Sequence, residues 1–341
     1  MEVFLTQHGM QTLFHVNESS QIAFARRACA DLARNLGFDE TQAGKVSIVI
    51  TEACTNLLKH AGGGDLIVRS VQRGTRSGIE ILAIDSGPGI ANVAASICDG
   101  VSTAGTQGTG LGAMCRLSDE FDIYSQSGKG TAILLVVLSV SAPSHDDALL
   151  IGGVCLPLPS EDVSGDAWTF RSFGNTTTIL VADGLGHGPD ARAASQPAID
   201  LIERHGFDSP TAVLNKAHDA LRGTRGAAVA VAMIAPAENR LSFAGVGNIA
   251  AFLFSRDGRK QFMSHNGIVG SNMRRVQEFD FDWNEHSMLI LHSDGLLTNW
   301  SLDQYPGLES RAPALIAAVL VRDFSRKRDD ITVVVVRPNS V

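Results

Sequence analysis

Apolar residues recur at helical spacing over residues 19–36, where Ile22, Phe24, Ala25, Ala28, Leu32 and Leu36 share a face ahead of Gly37. Steps of three and four residues predict an amphipathic helix, and the glycine supplies its C-terminal cap. A second helix is expected from about Thr41 to His60, stopped by Gly62-Gly63-Gly64. The period then falls to two. Leu66, Val68 and Ser70 alternate with Ile67, Arg69 and Val71, and residues 79–84 and 132–140 read as further strands. Two helices followed by strands predict an α/β sandwich.

A boundary falls near residues 139–148, where Ser141-Ala142-Pro143-Ser144-His145-Asp146-Asp147 separates two apolar runs. The expected organisation is a first domain at 1–140, a linker at 141–148 and a second domain at 149–341. Beyond the linker the chain is strand-heavy, with runs at 149–156, 167–173, 177–182, 227–234, 240–246, 250–255, 288–292 and 331–337. Helical spacing returns around 190–205, 209–223 and 312–324. Hairpin-like strands with a few helices predict a sheet-on-sheet sandwich flanked by helices. No internal repeat or low-complexity tract relates the halves.

Composition narrows the classes. A chain of 341 residues exceeds one typical core, which agrees with two domains. The net charge of −8 is evenly spread, with 10 Lys+Arg against 13 Asp+Glu in residues 1–140. Without a basic stripe, neither nucleic acid nor an anionic membrane is an expected partner. The five cysteines (Cys29, Cys54, Cys98, Cys115, Cys155) include no Cys-x-x-Cys, so free thiols in a reducing compartment are expected. The first residues lack the basic start and apolar core of a signal peptide, and the apolar runs are of strand length. A cytoplasmic location follows as the expectation.

The first domain carries a nucleotide-binding pattern. Glu52 and Asn56 lie four apart on the second helix and share a face. Downstream stand Asp85-Ser86-Gly87-Pro88-Gly89 and Gly108-Thr109-Gly110-Leu111-Gly112, the latter opening a helical stretch. A strand-end carboxylate such as Asp85 can accept a hydrogen bond from an adenine amino group, while Gly87 and Gly89 let backbone pass close to the base. Glycines 108, 110 and 112 let amides approach phosphates at a helix start. Asn56 can hold a Mg²⁺ that bridges the phosphates, and Glu52 can orient or deprotonate an attacking hydroxyl. Neither a Walker A nor a Rossmann fingerprint is present. His60 either approaches the phosphates or, with Lys59, provides favourable charge at a helix C-terminus.

Over roughly residues 5–138 this order of motifs resembles the histidine-kinase-type ATPase fold. The short lid Asp99-Gly100-Val101-Ser102-Thr103 and the closing Asp119-Glu120-Phe121-Asp122-Ile123 and Ser127-Gly128-Lys129-Gly130-Thr131 look more narrowly like the RsbT group of anti-sigma-type serine/threonine kinases. The resemblance implies an ATP site with Asn56 on Mg²⁺, Asp85 on adenine and Glu52 as base, and adds Thr103, Leu111 and Thr131 to the nucleotide contacts. It implies phosphorylation of a small STAS-domain protein. Histidine autophosphorylation is not expected, because the residues ahead of the domain in this sequence hold no helix pair for it.

The second domain carries aspartates beside β-rich runs: Asp166, Asp183, Asp294, Asp329 and Asp330. Like charges brought to one end of a sheet are costly without a cation, so two divalent ions sharing Asp183 are expected, with oxygen ligands suited to Mg²⁺ or Mn²⁺. A metal-activated water could then attack phosphorus in line. Asp257-Gly258, by contrast, reads as a hairpin turn.

Residues 149–337 resemble type-2C metal-dependent protein phosphatases of the SpoIIE/RsbX branch. The matching motifs are Ser164-Gly165-Asp166-Ala167-Trp168, Ala182-Asp183-Gly184-Leu185-Gly186-His187-Gly188, Ala244-Gly245-Val246-Gly247-Asn248, Ser293-Asp294-Gly295 and Asp329-Asp330-Ile331-Thr332. The resemblance implies an αββα sandwich and metal ligands at Asp166, Asp183, the Gly184 carbonyl, Asp294 and Asp329, with Asp330 the lesser of its pair. It implies phosphoserine or phosphothreonine substrates. His187 reads as loop geometry or as a general acid, and His292 as a core residue or as a ligand. The arginine that larger relatives place ahead of their first metal aspartate has no match in residues 156–163. Together the halves predict a bifunctional regulator of a partner-switching pathway; the second reading leaves the first domain as a module that only binds nucleotide and a partner.

Overall fold

A computed structural model describes residues 10–97, 110–139, 148–206 and 209–339. Cys98, the lid at 99–103 with Thr103, Gly108, Thr109, and linker residues 141–147 lie outside the described residues.

In chain order the elements are β1 (Thr12–Val16), α1 (Ser19–Asn35), α2 (Glu40–Ala61), β2 (Gly64–Arg73), β3 (Arg76–Ile84), α3 (Val93–Ile97), α4 (Gly110–Leu117), β4 (Glu120–Gln126) and β5 (Gly130–Leu138). There follow β6 (Leu149–Leu156), β7 (Asp166–Phe173), β8 (Thr176–Gly184), α5 (Gly188–Arg204), α6 (Pro210–Ala220), β9 (Ala227–Ala235), β10 (Arg240–Val246), β11 (Ala250–Ser255), β12 (Gly258–Gln261), β13 (Phe279–Asp282), β14 (Met288–His292), α7 (Pro313–Phe324) and β15 (Ile331–Pro338).

The chain divides into two compact units, Met1–Asp146 with Ser301–Arg322, and Asp147–Trp300 with Asp323–Val341. The first unit is built on an antiparallel sheet in the order β1-β2-β3-β5-β4. Helices α1, α2 and α4 bury Leu32, Val49, Ile50, Cys54 and Met114 against the side of the sheet that carries Leu66, Val68, Ile81 and Leu135. Local signals set the helix ends. Asp39 accepts from the Gln42 amide at 2.8 Å while the Gln42 side chain accepts from Asp39, and α2 stops where Gly62 turns left-handed at φ 74°.

The segment Ser301–Arg322, expected within the second domain, is part of this first unit. Asp122 of β4 accepts from the Ala312 amide at 2.7 Å and from Arg311 at 3.2 Å, and the Tyr124 and Tyr305 rings sit 6.4 Å apart.

The second unit stacks two five-stranded sheets, β13-β10-β9-β8-β7 and β12-β11-β14-β15-β6. Their inner faces share one core, with Trp168, Val181, Ala230 and Phe243 from the first sheet and Leu253, Leu291 and Val334 from the second. Helices α5 and α6 cover the outer face of the first sheet through Ile199, Ile202, Val213 and Leu214. Of the four layers expected, three are therefore internal to this unit, while most of α7 belongs to the other. Cys29, Cys54, Cys115 and Cys155 are free, and all but Cys115 are buried.

Candidate active sites

In the first unit, the step of four residues on α2 places Glu52 and Asn56 one turn apart, and the start of α4 meets them. A Cβ added to Gly110 would stand 2.9 Å from Glu52 Oε2 and 3.4 Å from Asn56 Oδ1. Only glycine lets the backbone come so close to both polar groups. Asp85 leaves the end of β3 and is fixed from two sides: its Oδ1 accepts from the Gly87 amide at 2.8 Å and the Thr131 amide at 3.2 Å. Burial raises its carboxyl above the ordinary carboxylate range, opposed by these two amides and by the positive charges of Arg322 and His60. Gly89 turns at φ 73° against the Gln126 carbonyl, and Thr131 Oγ1 shares a 2.9 Å hydrogen bond with Ser125 Oγ. Gly112 is buried in α4 and Leu111 packs against the core. The structure thus gathers Glu52 and Asn56 with Gly110, and Asp85 with Gly87 and Thr131. Lys59 and His60 occupy the last turn of α2.

In the second unit, antiparallel pairing puts the start of β7 beside the end of β8, so Asp166 and Asp183 are register partners. β14 and β15 pair likewise, with the Ser293 amide donating to the Thr332 carbonyl at 3.0 Å. Asp294 follows the one strand and Asp329 precedes the other, so each sheet contributes two acids. Burial, then the charges of Asp294 and Asp329, push the Asp183 carboxyl up to about 7. Burial and Asp183 hold Asp166 well above the ordinary range, and Asp329 is raised by burial and by Asp294.

The neighbouring acid has different work. Asp330 accepts from the Leu158 amide at 2.7 Å through one oxygen and from the Gly165 amide at 2.8 Å through the other. Both oxygens are committed to backbone, and Asp330 is 3% exposed. Gly184 is a position where a side chain has no room, since a Cβ there would meet the Ala191 carbonyl at 2.0 Å.

The donor set suits a hard divalent cation. Asp166 is 1% exposed, and its Oδ2 has no hydrogen-bond partner. An unpaired carboxylate oxygen buried beside other carboxylates is expensive unless a cation answers it. Among the described residues no three His, Cys, Asp or Glu side chains enclose an ion by themselves. A cation of the Mg²⁺ type keeps several waters and does not require such a cage.

The two histidines of these motifs differ in burial and partners. His187 caps the start of α5, exposed, with Nδ1 2.6 Å from Glu161 Oε1. His292 is buried, its Nδ1 2.8 Å from the Ser293 carbonyl and its Nε2 accepting from Trp300 Nε1 at 3.3 Å. Burial lowers its basicity.

Two residues were not singled out by sequence. Asn248 donates to Asp294 Oδ2 at 2.9 Å and lies near enough to Asp183 to oppose the rise of its carboxyl, so one amide stands beside acids from both sheets. The Gly-x-Gly-Asn motif carried that signal without a role. Arg192, one turn into α5, donates to the Asp166 carbonyl at 3.3 Å. It stands 26 residues beyond Asp166, whereas the larger relatives' arginine precedes their first metal aspartate.

Comparison with known proteins finds two families along the chain. Residues 16–137 match the histidine kinase-like ATPase domain family, and residues 174–339 match the stage II sporulation protein E (SpoIIE) family. The chain is 33% identical over 123 residues to the serine/threonine-protein kinase RsbT of Bacillus subtilis (strain 168), covering 36% of this chain and 92% of RsbT. It is 23% identical over 137 residues to the phosphoserine phosphatase RsbX of the same organism, covering 40% of this chain and 69% of RsbX. Among solved structures, a bacterial stressosome chain is 26% identical with a TM-score of 0.52, covering 56% of this chain and all of that one. RsbX in complex with magnesium shares the fold at 20% identity and a TM-score of 0.50, covering 57% of this chain and 98% of RsbX. The chain therefore belongs to the RsbT-type family of histidine kinase-like ATPases and carries a type-2C phosphatase domain of the SpoIIE class behind it.

Proposed function

We propose that the protein adds and removes phosphate within one partner-switching pathway. The first unit transfers the γ-phosphoryl group of ATP to a serine or threonine of a STAS-domain protein. The second hydrolyses phosphoserine or phosphothreonine on proteins of that type. The cytoplasm supplies the ATP and the reducing conditions that suit its free thiols.

The observation that carries the phosphatase half is the unpartnered, buried Asp166 Oδ2 beside Asp183. Asp166, Asp183, the Gly184 carbonyl, Asp294 and Asp329 would hold two Mn²⁺ or Mg²⁺ ions, which supply an activated water and polarise the phosphoryl oxygens. Asn248 keeps Asp294 and Asp183 in position. In the kinase half, Asn56 would hold Mg²⁺ on the phosphates, Asp85 reads the adenine amino group, and Glu52 accepts the proton of the attacking hydroxyl. The approach of Gly110 to Glu52 and Asn56 supports that arrangement.

The deciding experiment incubates the protein with Mg-ATP and a candidate STAS partner, removes ATP, then chases with Mn²⁺. Wild type should label the partner and then clear it. Asn56→Ala should fail to label, and Asp183→Ala should label without clearing. Persistent clearing by Asp183→Ala would refute the metal assignment, and labelling by Asn56→Ala would refute the kinase assignment.

A further inference from the structure

Three consecutive cations, Arg326-Lys327-Arg328, run directly into Asp329. The same loop rests on the residue after Asp294: the Arg326 amide donates to the Gly295 carbonyl at 2.9 Å, and Ser325 bridges to Leu296. The triplet therefore borders both candidate metal acids of this sheet. All three side chains are exposed, and among the described residues none has a carboxylate partner. Arg204, Arg222, Arg225 and Arg240 of the same unit each pair with an aspartate or glutamate.

The loop is also held in an uncommon conformation. Lys327 has φ 55°, and among the described residues only Asn239 shares a positive φ without being glycine. Asparagine tolerates that region readily, whereas lysine has no local reason to adopt it. The Lys327 amide donates to Ser325 Oγ at 3.2 Å, which fixes the turn. The backbone thus presents three neighbouring cations to solvent at the mouth of an acidic cluster.

A phosphorylated substrate approaching four carboxylates on a chain of net charge −8 meets repulsion. A cationic rim reverses the local sign, and such charges act on encounter and selection more than on packing. We propose that Arg326, Lys327 and Arg328 form a docking rim for an acidic phosphoprotein segment, one bearing phosphoserine or phosphothreonine flanked by aspartate or glutamate. The proposal rests on the phosphatase reading of the adjoining cluster. The rim grips the flanking acids, while the phosphate enters the carboxylate site.

The test uses the full chain and the triple variant Arg326→Ser, Lys327→Asn, Arg328→Ser, which keeps the backbone bonds and suits the left-handed turn. Probes are a phosphoserine peptide with flanking glutamates, a peptide of equal length with neutral flanks, and p-nitrophenyl phosphate. Wild type should favour the acidic peptide in kcat/KM by about tenfold at low salt, an advantage that added salt removes. The triple variant should lose that advantage and keep its rate on p-nitrophenyl phosphate within about twofold. In parallel, peptide binding is read by fluorescence anisotropy in an Asp183→Asn background with and without the triple change. An acidic preference that survives the triple change overturns the rim, as does an equal loss on p-nitrophenyl phosphate. If no probe is hydrolysed by wild type yet the triple change abolishes preferential binding, the rim stands and the phosphatase reading falls.

Discussion

Asp166 and Asp183 face each other across the last register position of β7 and β8, the first almost completely buried and the second partly so. Like charges directly opposite in an antiparallel pair oppose folding, yet here the strands behind them are apolar and Asp294 and Asp329 add to the same field. The arrangement is intelligible as a cation site prepared at the cost of stability in the metal-free protein.

That cost has a pH signature. The Asp183 carboxyl rises from 3.8 to about 7 on folding, so the folded metal-free protein binds a proton more tightly than the unfolded chain. Stability then falls as pH rises from about 4 to about 7, and the penalty is complete above that window. Melting in EDTA should show a higher Tm at pH 5 than at pH 8, and Mn²⁺ should raise Tm more at pH 8. A flat or rising metal-free profile would count against the cluster.

Replacing Asp166 should separate stability from activity. Asp166→Asn removes an acid whose ionisation burial and Asp183 oppose, so the metal-free protein should become more stable by about 1 kcal/mol or more at alkaline pH. Mn²⁺-dependent stabilisation should shrink and phosphatase turnover should fall at least about a hundredfold. Denaturant titration with and without Mn²⁺, beside a phosphopeptide assay, reads both changes.

Adjacent acids should behave in opposite ways. Asp330→Ala strips one buried and one half-buried backbone amide of their acceptor and should cost about 3 kcal/mol in urea unfolding. Asp329→Ala should leave stability within about 0.5 kcal/mol and abolish turnover. Equal destabilisation by the two substitutions would contradict the division of labour.

In the other unit, Gly110→Ala would drive a methyl group towards Glu52 and Asn56. Phosphate transfer from ATP should fall at least about tenfold, because misplacement near 1 Å at a reacting centre has effects of that order or greater. Glu52→Ala should abolish transfer while ATP binding, followed by calorimetry, persists. Retained transfer in Glu52→Ala would remove the base from the mechanism, whereas ATP binding without transfer in wild type would favour a first unit that only binds.

Local pattern made much of this legible. The bounds of β10, β11 and β14 fall where alternation and apolar runs place them, and α1 and α2 begin and end within about two residues of their sequence signals. β1 and β4 carry no clear strand signal in the sequence. β1 is five residues long at a sheet edge, and β4 carries Glu120 and Asp122 among its apolar positions. β12 is exposed throughout, and such a strand exists only because β11 pairs with it.

The sequence alone determined the two family patterns, because the residue types that carry them stand in short motifs that are legible without long-range partners. Tertiary structure decided the partners of each member. It set Asp330 on the backbone amides of Leu158 and Gly165, left Asp166 with an unanswered oxygen, and brought Asn248 between Asp183 and Asp294. It also gave residues 301–322 to the first unit through Asp122 and Tyr124. Those outcomes depend on partners from 46 to 190 positions away, and periodicity carries no information about partners at such separations.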